Sequence, residues 1–182
     1  MAKSKSAYSE PTKLGKAEHH IIVVWVDNEA GVLARVIGLF SGRGYNIESL
    51  SVAEVDKLKN LSRITIVSVG TPEVVEQIKQ QLKKLICVHK VADFKRSDPH
   101  ILFRELALFK IVSSAKNQEK VKKVCKKYNS VILDKTKKSF VIQITALRRE
   151  VDKLIEDIKP LGLVSVSRTG AVAMTRGSEI FK

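Results

Sequence analysis

Residues 20–40 read HIIVVWVDNEAGVLARVIGLF, and this stretch predicts the first elements of the fold. Its first seven residues, 20–26, form a continuous apolar run rich in β-branched side chains, which predicts a buried strand. The polar segment 27–31 breaks that run. Beyond it, apolar side chains recur at helical spacing on one face, at Val32, Leu33, Val36, Ile37 and Phe40. The stretch therefore predicts a strand, a short corner and an amphipathic helix.

The pattern continues with three more strands and a second helix. Alternating and β-branched segments predict strands at 45–55, 61–69 and 88–94. A helix is expected to begin at Thr71-Pro72-Glu73. Threonine is favoured at the N-cap, proline is favoured at the first helical position, and an acidic residue is favoured in the first turn. The order β-α-β-β-α-β is that of a ferredoxin-like unit, with both helices on one face of an antiparallel sheet.

The same order recurs in the second half of the chain. Strands are predicted at 106–112, 130–134, 140–145 and 163–168, and helices at 117–128 and 147–159. The expected fold class is α+β, with two ferredoxin-like βαββαβ domains in tandem. The expected division is a disordered basic arm at 1–18, a first domain at 19–95, a linker at 96–104 and a second domain at 105–182, whose residues from 171 onward form a tail.

The formal net charge of +14 raises the question of nucleic acid. Ten lysines lie between Lys110 and Lys138, against only Glu119 and Asp134. Such a segment suits either a phosphate backbone or the solvated face of a helix and a hairpin, and the second interpretation is favoured. The strand at 61–69 has no aromatic residue for base stacking, so we expect no nucleic-acid partner.

Several other functional classes find no support in the sequence. No apolar run approaches the ~20 residues that span a bilayer, and the polar N-terminus does not resemble a secretory signal. Cys87 and Cys125 stand far apart, with no metal-ligand spacing, which favours free thiols in a reducing cytosol. No nucleophile motif, P-loop or dinucleotide-binding signature follows a strand. We therefore expect no catalytic residues, no metal site and a cytoplasmic location.

The corner between the first strand and the first helix is the best candidate for a ligand site. Amide groups at a helix N-terminus favour an anion, and Gly31 lets a ligand approach the backbone. Asn28 offers both an acceptor and donors. These groups suit a zwitterionic ligand with an aliphatic side chain. Val32, Leu33 and Ile47 would contact that side chain. The alternative is structural: Asn28 caps the helix and Gly31 relaxes a turn.

The stretch from Asp27 to Leu50, which includes the run Gly-Tyr-Asn-Ile-Glu-Ser-Leu at 44–50, resembles the acetolactate synthase (acetohydroxyacid synthase) small subunits. The resemblance continues at 61–66, 76–78 and 82–85, resumes at 104–106, and returns at 168–177. It covers nearly the whole chain after residue 19. It implies that the first domain is an ACT domain, an amino-acid-sensing ferredoxin-like module.

The same resemblance implies a function and a site. The chain would be a non-catalytic regulatory subunit in branched-chain amino acid biosynthesis, and would activate a large catalytic subunit and confer feedback inhibition by valine. Two ACT domains would pair as a homodimer, with Asn28 and Gly31 of one protomer and Asn46 and Ile47 of the other contacting valine, and Gln77 as a further polar residue. Thiamine diphosphate, magnesium and FAD would belong to the catalytic partner. A ligand-responsive nucleic-acid-binding protein is the alternative.

Overall fold

The computed structural model describes residues 16–178. The arm that we expect to be disordered falls mostly outside this range, as does the end of the chain from residue 179. The first unit follows the predicted order of elements. These elements are β1 (Glu18–Asp27), α1 (Val32–Ser41), β2 (Ser49–Asp56), β3 (Leu61–Gly70), α2 (Pro72–Leu82) and β4 (Val88–Lys95).

The first sheet has the strand order β2-β3-β1-β4, and its pairings are antiparallel. The side chains of Ile22, Val24 and Val26 on β1 pack with Phe40 of α1 and Leu82 of α2 in one buried cluster. Both helices therefore cover the same face of the sheet, as the βαββαβ order predicts. Helix α2 also begins as expected, since Thr71 Oγ1 accepts a hydrogen bond from the amide of Val74 at 3.4 Å.

The second unit repeats this architecture. Its elements are β5 (Ile101–Val112), α3 (Ala115–Lys127), β6 (Val131–Lys135), β7 (Ser139–Ala146), α4 (Arg148–Ile158), β8 (Leu163–Arg168) and β9 (Val172–Thr175). The strand order β6-β7-β5-β8 mirrors that of the first sheet. Phe109 and Phe140 are fully buried between this sheet and its two helices. The expected fold class, two ferredoxin-like units in tandem, is confirmed.

The connection between the units differs from the expected linker and tail. Strand β5 begins at residue 101 instead of 106, and its first four residues pair with β9, which lies in the predicted tail. This ribbon packs on the face of the first sheet that the helices leave open, where Ile101 and Ala173 bury against Ile21 and Val23. Burial of these apolar side chains explains why both segments become strands. Among residues 16–178, no helix is long and apolar enough to cross a membrane.

Candidate functional site

The corner that joins β1 to α1 exposes its backbone. Gly31 is the N-cap of α1 and has φ +82°, in the left-handed region that favours glycine. A Cβ atom at Gly31 would meet no heavy atom of the described chain within 4 Å, so the space outside this residue is open. Within residues 16–178 no side chain caps the helix. The corner therefore presents amide donors at the positive end of the helix dipole, where a carboxylate fits.

Asn28 is oriented by the two strands beside it. Its Oδ1 accepts a hydrogen bond from Ser62 Oγ at 2.9 Å, and its Nδ2 donates to Glu54 Oε1 at 3.2 Å. Gly31, and not Asn28, occupies the N-cap position of α1, so the structural alternative for Asn28 does not apply. An amide group has two donor hydrogens and two acceptor lone pairs, so Asn28 keeps one of each for another partner.

The apolar residues of this corner differ in exposure. Val32 is only 3% exposed and belongs to the core of the first unit. Leu33 and Ile37 are each 37% exposed, and they stand four positions apart on α1. Residues at this spacing share a helix face. Leu33 and Ile37 thus form an outward apolar stripe, whereas Val32 faces the sheet.

The other predicted site residues lie beyond the opposite end of α1. Asn46 is exposed, and its carbonyl oxygen accepts a hydrogen bond from Ser68 Oγ at 2.7 Å. Ile47 is half-buried against the core of the first unit. Gln77 is exposed on α2, where its Oε1 accepts a hydrogen bond from the hydroxyl of Tyr45 at 3.5 Å.

The predicted residues therefore fall into two groups in one chain. The corner group consists of Asn28, Gly31, Val32 and Leu33, and the far-end group consists of Asn46, Ile47 and Gln77. Helix α1 has 10 residues and separates the groups. At 1.5 Å per residue that separation is about 15 Å, longer than a single amino acid. One chain alone does not bring the seven residues around one small ligand.

A second candidate site, which no sequence pattern predicts, is a cavity of about 650 Å³ between the two units. We call it the inter-unit cavity. Its lining includes five arginines, namely Arg96, Arg148, Arg149, Arg168 and Arg176. They come from widely separated segments of the chain, so no local sequence pattern predicts that they lie close together.

Arg168 is held in the wall of this cavity by two acids. Its Nη2 donates to Glu105 Oε2 at 3.0 Å, and its Nη1 donates to Asp152 Oδ1 at 2.7 Å. Glu105 is only 4% exposed. The hydrogen bond that Arg168 donates to Glu105 raises the pKa of the Arg168 guanidinium above its usual range. This ion pair fixes the end of β8 against β5 and α4.

Residues 16–178 contain no cluster of three His, Cys, Asp or Glu side chains that could hold a metal ion. Cys87 and Cys125 are free and buried, one in each unit. The lysines of the hairpin, Lys135, Lys137 and Lys138, are exposed to solvent. This exposure suits the interpretation of the lysine-rich segment as a solvated face.

Comparison with known proteins identifies the family. One family model, an AHAS small subunit-like ACT domain, matches residues 22–90, and a second, the small subunit of acetolactate synthase, matches residues 104–177. The chain is 40% identical over 167 residues to the acetolactate synthase small subunit of Aquifex aeolicus, which covers 91% of this chain and 85% of that protein. The chain belongs to the acetolactate synthase small subunit family.

Other small subunits of acetolactate synthase agree with this assignment. The isozyme 3 small subunit of Escherichia coli is 39% identical over 163 residues, which is 89% of this chain and 98% of that protein. The crystal structure of the acetolactate synthase small subunit from Thermotoga maritima superposes with a TM-score of 0.82 at 30% identity, and covers 89% of this chain and 99% of that one. The resemblance stated from the sequence is confirmed, and the nucleic-acid alternative is not favoured.

Proposed function

We propose that this chain is the regulatory subunit of acetolactate synthase in cytoplasmic branched-chain amino acid biosynthesis. It binds the large catalytic subunit, raises that subunit's activity and makes it sensitive to valine. Thiamine diphosphate, magnesium and FAD belong to the large subunit. The chain itself contributes regulation and no catalytic residue. Its membership in the small-subunit family supports this assignment.

The separation of the two residue groups across α1 is the observation that carries the proposal. In a two-fold dimer whose α1 helices pack antiparallel, the corner group of one chain faces the far-end group of its partner. Leu33 and Ile37 supply an apolar face for that contact. Gly38 is exposed on α1, and a Cβ atom there would meet no heavy atom of residues 16–178 within 4 Å, so the partner helix can approach closely.

The chemistry of the two groups suits free valine. The corner amides near Gly31 bind the carboxylate, and an oxygen of Asn28 or of Asn46 accepts a hydrogen bond from the ammonium group. Leu33 and Ile47 contact the isopropyl group. Because each site needs both chains, valine binding is linked to dimer geometry, and dimer geometry is how the signal reaches the large subunit.

The second unit has no equivalent corner. The connection from β5 to α3 contains Ser113 and Ser114 and no glycine. We assign this unit to assembly with the large subunit and not to amino acid binding.

Calorimetry with valine tests the site. The wild type is expected to release or absorb heat on binding, and Asn28→Ala is expected to weaken binding at least about tenfold, because hydrogen bonds to a charged group are lost. Asn117→Ala, at the start of α3, is the matched control and should bind like the wild type. Absence of heat at millimolar valine, or equal binding by wild type and Asn28→Ala, would contradict valine binding at this site.

A mixed dimer tests whether the site is shared. A dimer of one Asn28→Ala chain and one Asn46→Ala chain has one doubly altered site and one intact site if each site takes one residue from each chain. It should therefore bind half the valine of a wild-type dimer with wild-type affinity, while each pure variant binds weakly. If the mixed dimer binds as weakly as the pure variants, the site lies within one chain.

An assay of acetolactate formation from pyruvate tests the regulatory role. The isolated chain should form no product, and the large subunit should gain activity when the chain is added. Valine should lower that gain for the wild type and much less for Asn28→Ala. Turnover by the isolated chain, or no effect on the large subunit, would contradict the proposal.

A further inference from the structure

The inter-unit cavity lies on the side of the first sheet that faces away from α1 and α2. Ile21 of β1 and Val67 of β3 line it, and both belong to the cluster on the open face of that sheet. The valine site that we propose involves the helix-covered side. The sheet therefore separates the two places, and the cavity is not part of the proposed valine site.

The cavity carries a surplus of positive charge. Its five arginines stand against three acidic residues, Glu48, Asp98 and Glu105, which leaves two positive charges in excess. Two of the acids are already neutralised, because Arg148 donates to Glu48 at 2.8 Å and Arg168 pairs with Glu105.

Three arginines of the lining remain without an acidic partner. The guanidinium groups of Arg96, Arg149 and Arg176 form no ion pair with a carboxylate of residues 16–178. All three are exposed. They reach the cavity from three directions: Arg96 follows β4, Arg149 lies in the first turn of α4, and Arg176 follows β9. Three like charges that face one cavity repel each other, and a bound anion relieves that repulsion.

The start of α4 adds donors to the same wall. Leu147, its N-cap, and the first two helical residues, Arg148 and Arg149, line the cavity. The amide of Leu147 is taken by Glu150 Oε2 at 3.0 Å. The amide of Glu150 donates to the Leu147 carbonyl at 2.8 Å, but the amides of Arg148 and Arg149 have no acceptor within the helix. The helix dipole favours negative charge beside these two amides.

We propose that the inter-unit cavity binds a small polyanion, a molecule with two or more carboxylate or phosphate groups. Arg149 and Arg176 contact its anionic groups, because planar guanidinium groups bind carboxylate and phosphate in bidentate fashion. Ile21 and Phe103, which belong to the cluster on the open face of the first sheet, supply an apolar wall for the body of the molecule. A volume of about 650 Å³ lies within the range of small-molecule sites.

Calorimetry of the full chain with pyrophosphate and, separately, with citrate tests the proposal and distinguishes phosphate from carboxylate ligands. One molecule per chain is expected to bind. The double variant Arg149→Gln/Arg176→Gln should weaken binding at least about tenfold, because charge-assisted hydrogen bonds are lost. Lys123→Gln/Lys126→Gln is the control, since it removes the same charge from α3, away from the cavity.

A second variant separates geometry from charge. Arg149→Lys keeps the positive charge but loses the planar fork, and it should bind more weakly than the wild type and more tightly than the glutamine variant. Circular dichroism and a thermal melt of each variant establish that the fold is intact. Valine titrations should be unchanged in all of them, so a failure here is distinguishable from a failure of the valine site.

Three outcomes would overturn the proposal. The first is no binding of either anion at millimolar concentration. The second is equal weakening by the arginine and lysine variants, which means general charge attraction that added salt removes. The third is that the arginine variant no longer associates with the large subunit while the wild type binds neither anion. That result would show that the cavity is a protein interface.

Discussion

Glu48, in the loop before β2, accepts a hydrogen bond at 2.8 Å from Nη1 of Arg148, the first residue of α4. The pair joins the two units, and Glu48 Oε2 also lies 3.2 Å from Nδ1 of His19. The side chain of Glu48 is 20% exposed and that of Arg148 is 40% exposed. The bridge is therefore partly shielded from solvent.

A double-mutant cycle measures what this bridge contributes. Glu48→Gln, Arg148→Met and the double variant should give a coupling free energy of about 0.5–1 kcal/mol in urea unfolding, because the pair is only partly buried. The more exposed pair Glu119–Lys122 on α3 provides the control, and its coupling should be smaller. A coupling of zero for Glu48 and Arg148 would mean that this ion pair does not help to hold the two units together.

Substitution of Gly31 tests the strained corner. Gly31→Ala should lower the free energy of unfolding by about 1 kcal/mol, because an L residue resists the left-handed region while nothing in the described chain blocks the new methyl group. Gly38→Ala, in the middle of α1, is the matched control. Measured on the chain diluted to a monomer, where no partner helix packs on α1, it should be neutral or stabilising by up to about 1 kcal/mol. Equal stabilisation of both variants would show that the corner relaxes to an ordinary conformation.

The ion pair of Arg168 with Glu105 predicts a larger effect. Arg168→Met leaves the buried Glu105 carboxylate without its partner and should cost about 2–3 kcal/mol in unfolding free energy. Glu105→Gln/Arg168→Met removes the stranded charge and should recover part of that loss. Chemical denaturation of the two variants side by side checks this order, and a double variant less stable than the single one would contradict it.

Asp157 on α4 predicts a pH dependence of stability. Hydrogen bonds from Lys127 and Tyr128 on the α3 side lower the pKa of this carboxyl group. The ionised carboxylate of Asp157 therefore adds to the free energy of unfolding above the usual aspartate pKa of about 3.9. This contribution is lost as the pH falls through the lowered pKa. The stability of the wild type relative to Asp157→Asn should shrink as the solution is acidified.

Asp134→Asn is the control for this effect. Asp134 lies on the exposed strand β6 and forms no ion pair within residues 16–178. Its substitution removes the same charge without breaking a contact between two helices, so the pH dependence of Asp157→Asn is compared with it. A pH-independent difference for Asp157→Asn would refute the assigned role of the bridge between α3 and α4.

Local patterns were sufficient to predict most elements. Examples are the apolar run of β1, the helical spacing in α1 and the Thr71-Pro72 start of α2. Each of these patterns depends on contacts within one unit, and each element lies where expected. The second strand is an instructive difference. It was expected from residue 45 but begins at Ser49, because Tyr45 and Ile47 pack on the core and the Asn46 carbonyl bonds to Ser68 instead of a ladder partner.

Features that depend on contacts between units were not predictable in this way. The pairing of residues 101–104 with β9 is stabilised by burial on a distant sheet, so neither segment has a strong pattern of its own. The arginines of the inter-unit cavity converge only after both units are folded. For the candidate valine site, the resemblance supplied the residues, and the separation of its two groups across α1 became visible only in the structure.

The 12 residues of β5 take part in two layers of the molecule, since the first four pair with β9 over the first sheet and the rest form the centre of the second. An extended strand of this length spans about 40 Å. Its pairing partner changes between Arg104 and Glu105, since residues 101–104 pair with β9 and residues 105–112 pair with β7. The two layers therefore share one backbone strand, and a change in the twist of that strand would alter both.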